Sequence, residues 1–198
     1  MKTDKRALLI IDVQNAFLHE KWGKRNNEHA EDNIQQLLIR WREKGWTVIH
    51  VQHTSDHPDS LFHPLSEGFA FKKIVEPIKD ELIIQKKVNS SFIGTNLEEL
   101  LKQKGIDTVV ITGLTTPHCV ATTTRMSGNL GFDTYLVSDA TAAFGLPDHN
   151  GTYYDAETIH DTTLATLHDE FATILTTERI LSLFEKGGYH DKRVDSSY

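Results

Sequence analysis

The chain has 198 residues, enough for one α/β domain with a full-sized core, and its composition is that of a globular protein. A formal net charge of -7, with no run of lysines and arginines, argues against nucleic acid or an anionic membrane as partner. The single cysteine excludes an internal disulfide and a four-cysteine zinc site, and it fits a reducing, cytoplasmic setting.

Ala7 to Ile11 is an unbroken apolar run closed by Asp12, the pattern of a strand buried on both faces. The run is too short for a signal-peptide core, and no apolar stretch in the sequence reaches membrane-span length. Ile34, Leu37, Leu38 and Trp41 recur at helical spacing, which predicts a helix over 30–44 ended by Gly45. Thr47 to Val51 is a second strand. From His53 to Asp80 the pattern fades among Pro58, Pro64, Gly68 and Pro77, and a loop this long is usually functional or mobile. Leu82 to Ile84 is a short third strand. A helix is expected from Thr95 to Lys104, with Thr95 as N-cap and Glu98 completing a capping box.

Thr108 to Ile111 is the fourth strand, and a helix is expected from Pro117 to about Leu130. Thr134 to Val137 is the fifth strand, ending at Ser138-Asp139. A helix over 157–171, a short strand over 173–175 and a last helix over 178–184 complete the chain, apart from a polar tail from about 187 expected to be loose. Strands and helices alternate throughout. That order specifies a mostly parallel six-stranded sheet with helices on both faces, a three-layer α/β/α, Rossmann-like architecture in a single domain over 1–198. Ligands in such sheets bind beyond the carboxyl ends of the strands, where Asp12, Lys86 and the turn from Gly113 to Cys119 all fall.

Several familiar chemistries are excluded by missing motifs. There is no phosphate loop G-x-x-x-x-G-K-[ST], no G-x-G-x-x-G after the first strand, no G-x-S-x-G elbow and no H-E-x-x-H. The informative stretch is Gly113 to Val120. Thr116 suits an N-cap and Pro117 the first helical position, which puts Cys119 in the first turn of a helix. Free N–H groups and the dipole there favour a thiolate and could bind an oxyanion. A lone cysteine is, on general grounds, more often a small buried apolar residue. Asp12 reads either as a general base for that thiol or as a strand-end cap for the loop behind it. Lys86 and Lys87 read, without further information, as solvated residues at a strand end.

Four motifs then appear in order. They are D-x-Q-x-x-F at Asp12 to Phe17, K-x-x-x-S-x-F at Lys86 to Phe92 followed by Gly94-Thr95-Asn96-Leu97, G-x-x-T-x-x-C-V at Gly113 to Val120, and the strand end Asp139-Ala140. In this the chain resembles the isochorismatase-like hydrolases over about residues 7–181. The resemblance implies a catalytic triad of Asp12, Lys86 and Cys119, and the spacing from Phe92 selects Lys86 over Lys87. It also implies a cis peptide joining Leu114 to Thr115 and an oxyanion hole from the N–H groups of Thr115 and Cys119. Phe17, Trp22, His53 and His118 are candidate pocket walls. Nicotinamidases of this superfamily carry D-x-H metal ligands after the second strand. Here Gln52-His53-Thr54-Ser55 stands instead, so no metal and no cofactor is expected, although His57 and His63 lie nearby.

The resemblance implies thiol-dependent hydrolysis of a small-molecule C–N bond of amide, lactam or ureido type through an acyl-enzyme. The alternatives are a vinyl-ether hydrolase with Asp12 as acid, and a non-catalytic thiol sensor or binding module. Relatives of this kind are commonly homo-oligomers, dimers or tetramers, with no nucleic-acid or membrane partner.

Overall fold

The computed structural model describes residues 5–185, so the tail beyond 187 lies outside the described residues. Six parallel strands form one sheet: β1 (Arg6–Ile11), β2 (Thr47–His53), β3 (Leu82–Lys86), β4 (Thr108–Leu114), β5 (Asp133–Ala142) and β8 (Thr173–Leu175), in the order β3-β2-β1-β4-β5-β8. A two-residue hairpin, β6 (Leu146–Pro147) against β7 (Tyr153–Tyr154), stands outside it. The helices are α1 (Ala30–Lys44), α2 (Leu97–Gln103), α3 (Ala121–Asn129), α4 (Ala156–Ala165) and α5 (Thr177–Glu185). None of the described helices is long and apolar enough to cross a membrane.

The unbroken apolar run of β1 has a simple cause. Successive side chains of a strand point to opposite faces, and here both faces are covered. Leu9 and Ile11 enter one core with Ile49, Val109, Ile111 and the α2 residues Leu97 and Leu101. Leu8 and Ile10 enter the other, with Ile34, Leu37 and Trp41 of α1 and Ile180 of α5. Gly45, in the left-handed conformation at φ 65°, ends α1.

Several local expectations are corrected. The helix after 95 begins only at Leu97, with Asn96 at its N-cap position and no side-chain cap bond. Thr95 Oγ1 accepts from Leu97 N–H at 3.3 Å and donates to Ser91 O at 2.6 Å, so it closes the preceding turn instead. Glu98 does not reach back, because it pairs with Lys102 one turn on. The helix expected over 157–171 stops at Ala165. The chain then reverses, with Asp169 at φ 65°. The fifth strand runs on to Ala142, past a register shift between Ile111 and Gly113 of β4.

The 53–80 segment carries two 3-10 turns, Glu67–Phe69 and Lys73–Val75. It is tied to the end of β1 by Asn15 N–H to Ala70 O and Lys72 N–H to Val13 O, both 2.9 Å. Strand order reverses between β1 and β4, so the crevice of the sheet opens where Asp12 and the Gly113–Cys119 turn emerge.

Candidate active site

Asp12 follows β1 in the left-handed region, φ 53°, an uncommon conformation for a residue other than glycine. Its N–H donates to Val51 O and its own carbonyl accepts from Gln14 N–H, which fixes the bend. The side chain is buried. Gly113 lets β4 approach β1 here, because a Cβ on it would lie 2.1 Å from Ile11 O. Beyond β4 the Leu114–Thr115 peptide is cis.

The structure brings Asp12, Lys86 and Cys119 together from three strand ends. Lys86 Nζ donates to Asp12 Oδ2 at 2.6 Å and to Cys119 Sγ at 3.2 Å. Lys86 has no exposed side-chain surface, and Asp12 has 1%. Lys87 instead reaches outward to Asp56. Asp12 Oδ1 is buried without a hydrogen-bond partner. Burial raises the pKa of Asp12 against the opposing pull of Lys86.

Two features of the turn that carries Cys119 differ from expectation. Thr116–Val120 is a π-helical turn rather than the start of an α-helix, and Thr116 is not its N-cap. Thr116 Oγ1 pairs with His160 Nδ1 at 2.9 Å, so it does not compete for the N–H groups of the turn. The thiol is also not poised as a thiolate. Burial, and then the charge of Asp12, push Cys119 up to about 12 despite Lys86. At rest the site is an Asp12–Lys86 ion pair beside a neutral thiol. Burial outweighs whatever the turn's N–H groups contribute.

His53 lies inside the site. Its Nδ1 is 3.0 Å from Lys86 Nζ, 3.8 Å from Asp12 Oδ2 and 4.0 Å from Cys119 Sγ. Burial and the neighbouring ammonium lower its pKa to about 4, so the ring is neutral. Gln14 holds its backbone from both sides: Oε1 accepts from His53 N–H at 2.8 Å and Nε2 donates to His53 O at 3.1 Å.

Phe17 and Trp22 are neighbours, with ring centroids 5.3 Å apart. They join Phe62 and Phe144, which the sequence reading missed. His53 packs on Phe62 at 5.0 Å. Phe62 sits in the aperiodic loop and Phe144 beyond β5, so neither carried a pattern. His118, beside Cys119, is exposed, and its Nδ1 pairs with Thr115 Oγ1 at 3.0 Å. Asn89, also unforeseen, has Oδ1 3.8 Å from Cys119 Sγ. Asp139 of the fourth motif accepts from Thr177 N–H and Oγ1 at 2.8 Å, tying β5 to the start of α5.

Among the described residues, Asp12, His53 and Cys119 are the one group with metal-ligand spacing, their ligand atoms lying within 4.8 Å of one another. The Lys86 ammonium already sits against all three, so a metal ion would have to displace it. His57 and His63 fall outside that group, and their Nδ1 atoms accept from Asp59 and Leu65 N–H in local turns.

A parallel α/β sheet that gathers a carboxylate, an ammonium and a thiol at its switch point defines a hydrolase of the isochorismatase type. The Isochorismatase domain profile matches residues 6–179, and the chain belongs to that family. It is 70% identical to the isochorismatase family protein YrdC of Bacillus subtilis over 183 residues, 92% of this chain and 98% of the relative. A crystal structure of an isochorismatase-family protein from Chromobacterium violaceum superposes with a TM-score of 0.91 at 39% identity, covering 94% of this chain and 96% of that one. Streptothricin hydrolase of Streptomyces noursei is 31% identical over 142 residues, 72% of this chain and 51% of that protein.

Proposed function

We propose that this protein hydrolyses a C–N bond of a small, uncharged molecule through an acyl-enzyme on Cys119. The observation that carries this reading is the Lys86 ammonium, buried and within hydrogen-bonding distance of both Asp12 and Cys119. The thiol is neutral at rest, so its proton must leave as the sulfur attacks. Asp12, with one oxygen unpartnered and its basicity raised by burial, accepts that proton. Sulfur bonds to the carbonyl carbon. The backbone N–H groups of Thr115 and Cys119, with Lys86, hold the resulting oxyanion. The C–N bond breaks as Asp12 passes its proton to the leaving nitrogen. Water then loses a proton to Asp12 and attacks the thioester, releasing a carboxylic acid and restoring the thiol.

The aromatic walls define what enters. Trp22 Nε1–H is spent on Ala16 O at 2.8 Å, so Phe17, Trp22, Phe62 and Phe144 offer carbon surfaces. The nearby cations Arg25 and Lys72 are both held by Glu31. Neither is free to receive a carboxylate, which favours flat, neutral substrates over anionic ones.

The test is a panel of neutral amides, lactams and ureido compounds alongside an anionic enol ether, with intact-mass detection after rapid quenching. Cleavage of a neutral C–N compound with a transient acyl mass on Cys119 is expected. Cleavage of the enol ether alone would replace this reading with vinyl-ether hydrolysis. Alkylation of the thiol without cleavage of any compound would favour the sensor.

A further inference from the structure

We infer that His53 is a positioning residue that holds the Lys86 ammonium in place, by supplying the third of the three acceptors that a buried ammonium requires. The inference rests on the role proposed for Lys86. A lysine ammonium carries three N–H donors and no acceptor. With no exposed side-chain surface, Lys86 has no water to turn to. Three acceptors lie around it: Asp12 Oδ2 at 2.6 Å, His53 Nδ1 at 3.0 Å and Cys119 Sγ at 3.2 Å. A buried charge persists only when it is paired and its hydrogen bonds are met. Remove one acceptor and one buried N–H is left unmet, the ammonium leaves its place, and the sulfur loses the cation that stabilises its anion.

The arrangement fixes the chemistry of His53. Its Nδ1 must be bare, so the proton sits on Nε2. Gln14 enforces the placement by gripping both the N–H and the C=O of the residue, and the same Gln14 Nε2 donates to Phe69 O at 2.8 Å. Register does the rest, because His53 and Lys86 are paired partners on adjacent parallel strands. This explains why glutamine stands two residues after Asp12: it anchors the strand end whose ring supports the lysine.

Cys119 is the only cysteine, so iodoacetamide modification followed by intact mass reads one thiol. At pH 8, His53→Leu should slow alkylation by about tenfold, the scale of one hydrogen bond to a charged group. His53→Asn, whose Oδ1 can accept in place of Nδ1, should restore most of the rate. Lys86→Met should be slow, and adding His53→Leu to it should change little, because the histidine acts through the lysine. A merely structural role would give equal damage in Leu and Asn, and additive damage in the double variant. Nitrogen-15 NMR of histidine-labelled wild type should show His53 with Nδ1 unprotonated. Either a protonated Nδ1 or wild-type alkylation in His53→Leu overturns the inference. These readouts need no substrate, so they stand apart from the panel: a turnover-competent Cys119→Ala would defeat the thiol mechanism and leave the His53 result intact.

Discussion

Around Cys119 the decisive quantity is burial. A thiol held near 12 cannot rely on standing ionisation, so the proposed attack needs an acceptor for its proton, the role proposed for Asp12. Asp12→Asn keeps the shape but removes the proposed base. It should lower turnover by roughly a hundredfold or more, measured as kcat on a cleaved panel compound. Burial also makes stability depend on pH. Burial opposes ionisation of Glu31, yet Arg25 and Lys72 outweigh it and hold the acid at about 2, and Arg42 does the same for Glu81. Those carboxylates stabilise the fold above their ordinary value of 4.5 and lose that contribution as pH falls toward 2. Burial lowers His50, His53 and His160, so the unfolded chain takes up protons first as pH drops below 6.5. These two effects have one sign, and Asp12 and Asp133, raised by burial, oppose them because the fold takes up those protons before the unfolded chain does. The Glu31 contribution is isolated by substitution: the urea midpoint should fall below pH 4.5, with Glu31→Gln flattening that part of the curve. A Glu31→Gln midpoint that fell below pH 4.5 as steeply as that of wild type would contradict this.

Elements were legible where one periodicity ruled and illegible where side-chain oxygens intervened. β1 could be read because its two faces enter two cores, and α1 because its apolar stripe ends at Gly45. The overlong reading of α4 has a physical source. Leu164, Leu167 and Phe171 keep helical spacing because the turn after Ala165 packs on the same core. Meanwhile Thr162 and Thr163 turn their hydroxyls back onto the carbonyls of Thr158 and Ile159. The turn that carries Cys119 was legible through Gly113, Thr116 and Cys119, but its π-helical form had no signal in the residues. Gly113 offers the sharpest test at this scale. Its φ is 121°, and an added Cβ would meet backbone atoms of Ile11 at 2.1 and 2.6 Å. Gly113→Ala should destabilise by more than ~4 kcal/mol, since neither strand can yield without breaking the sheet. A wild-type urea midpoint would show that β4 and β1 are not held as described.

At the level of the whole molecule, the sheet order places its reversal between β1 and β4, and the site follows from that. Alternating elements in the sequence were enough to expect the architecture and the strand ends from which Asp12, Lys86 and Cys119 emerge. They could not reveal that Phe62 and Phe144 join the aromatic cluster, or that His53 contacts Lys86, because those depend on how loops fold over the crevice. Cys119 sits in the core on the α2 side of the sheet, and the core on the opposite side contains no site residue. Trp41 is fully buried against Trp46 and Phe184, in the core on the α1 side of the sheet. Trp41→Ala should cost ~3–5 kcal/mol by urea unfolding while leaving Cys119 alkylation of the folded protein unchanged. Changed reactivity in the folded fraction would mean that the two are coupled.

One comparison bears most directly on the chemistry: kcat/KM of Cys119→Ala against wild type, on whichever neutral amide the wild type cleaves best. Loss of the nucleophile should lower it by roughly a thousandfold or more. A variant that keeps kcat/KM within about tenfold of wild type would show that sulfur carries no acyl group and that the bond is broken by other means.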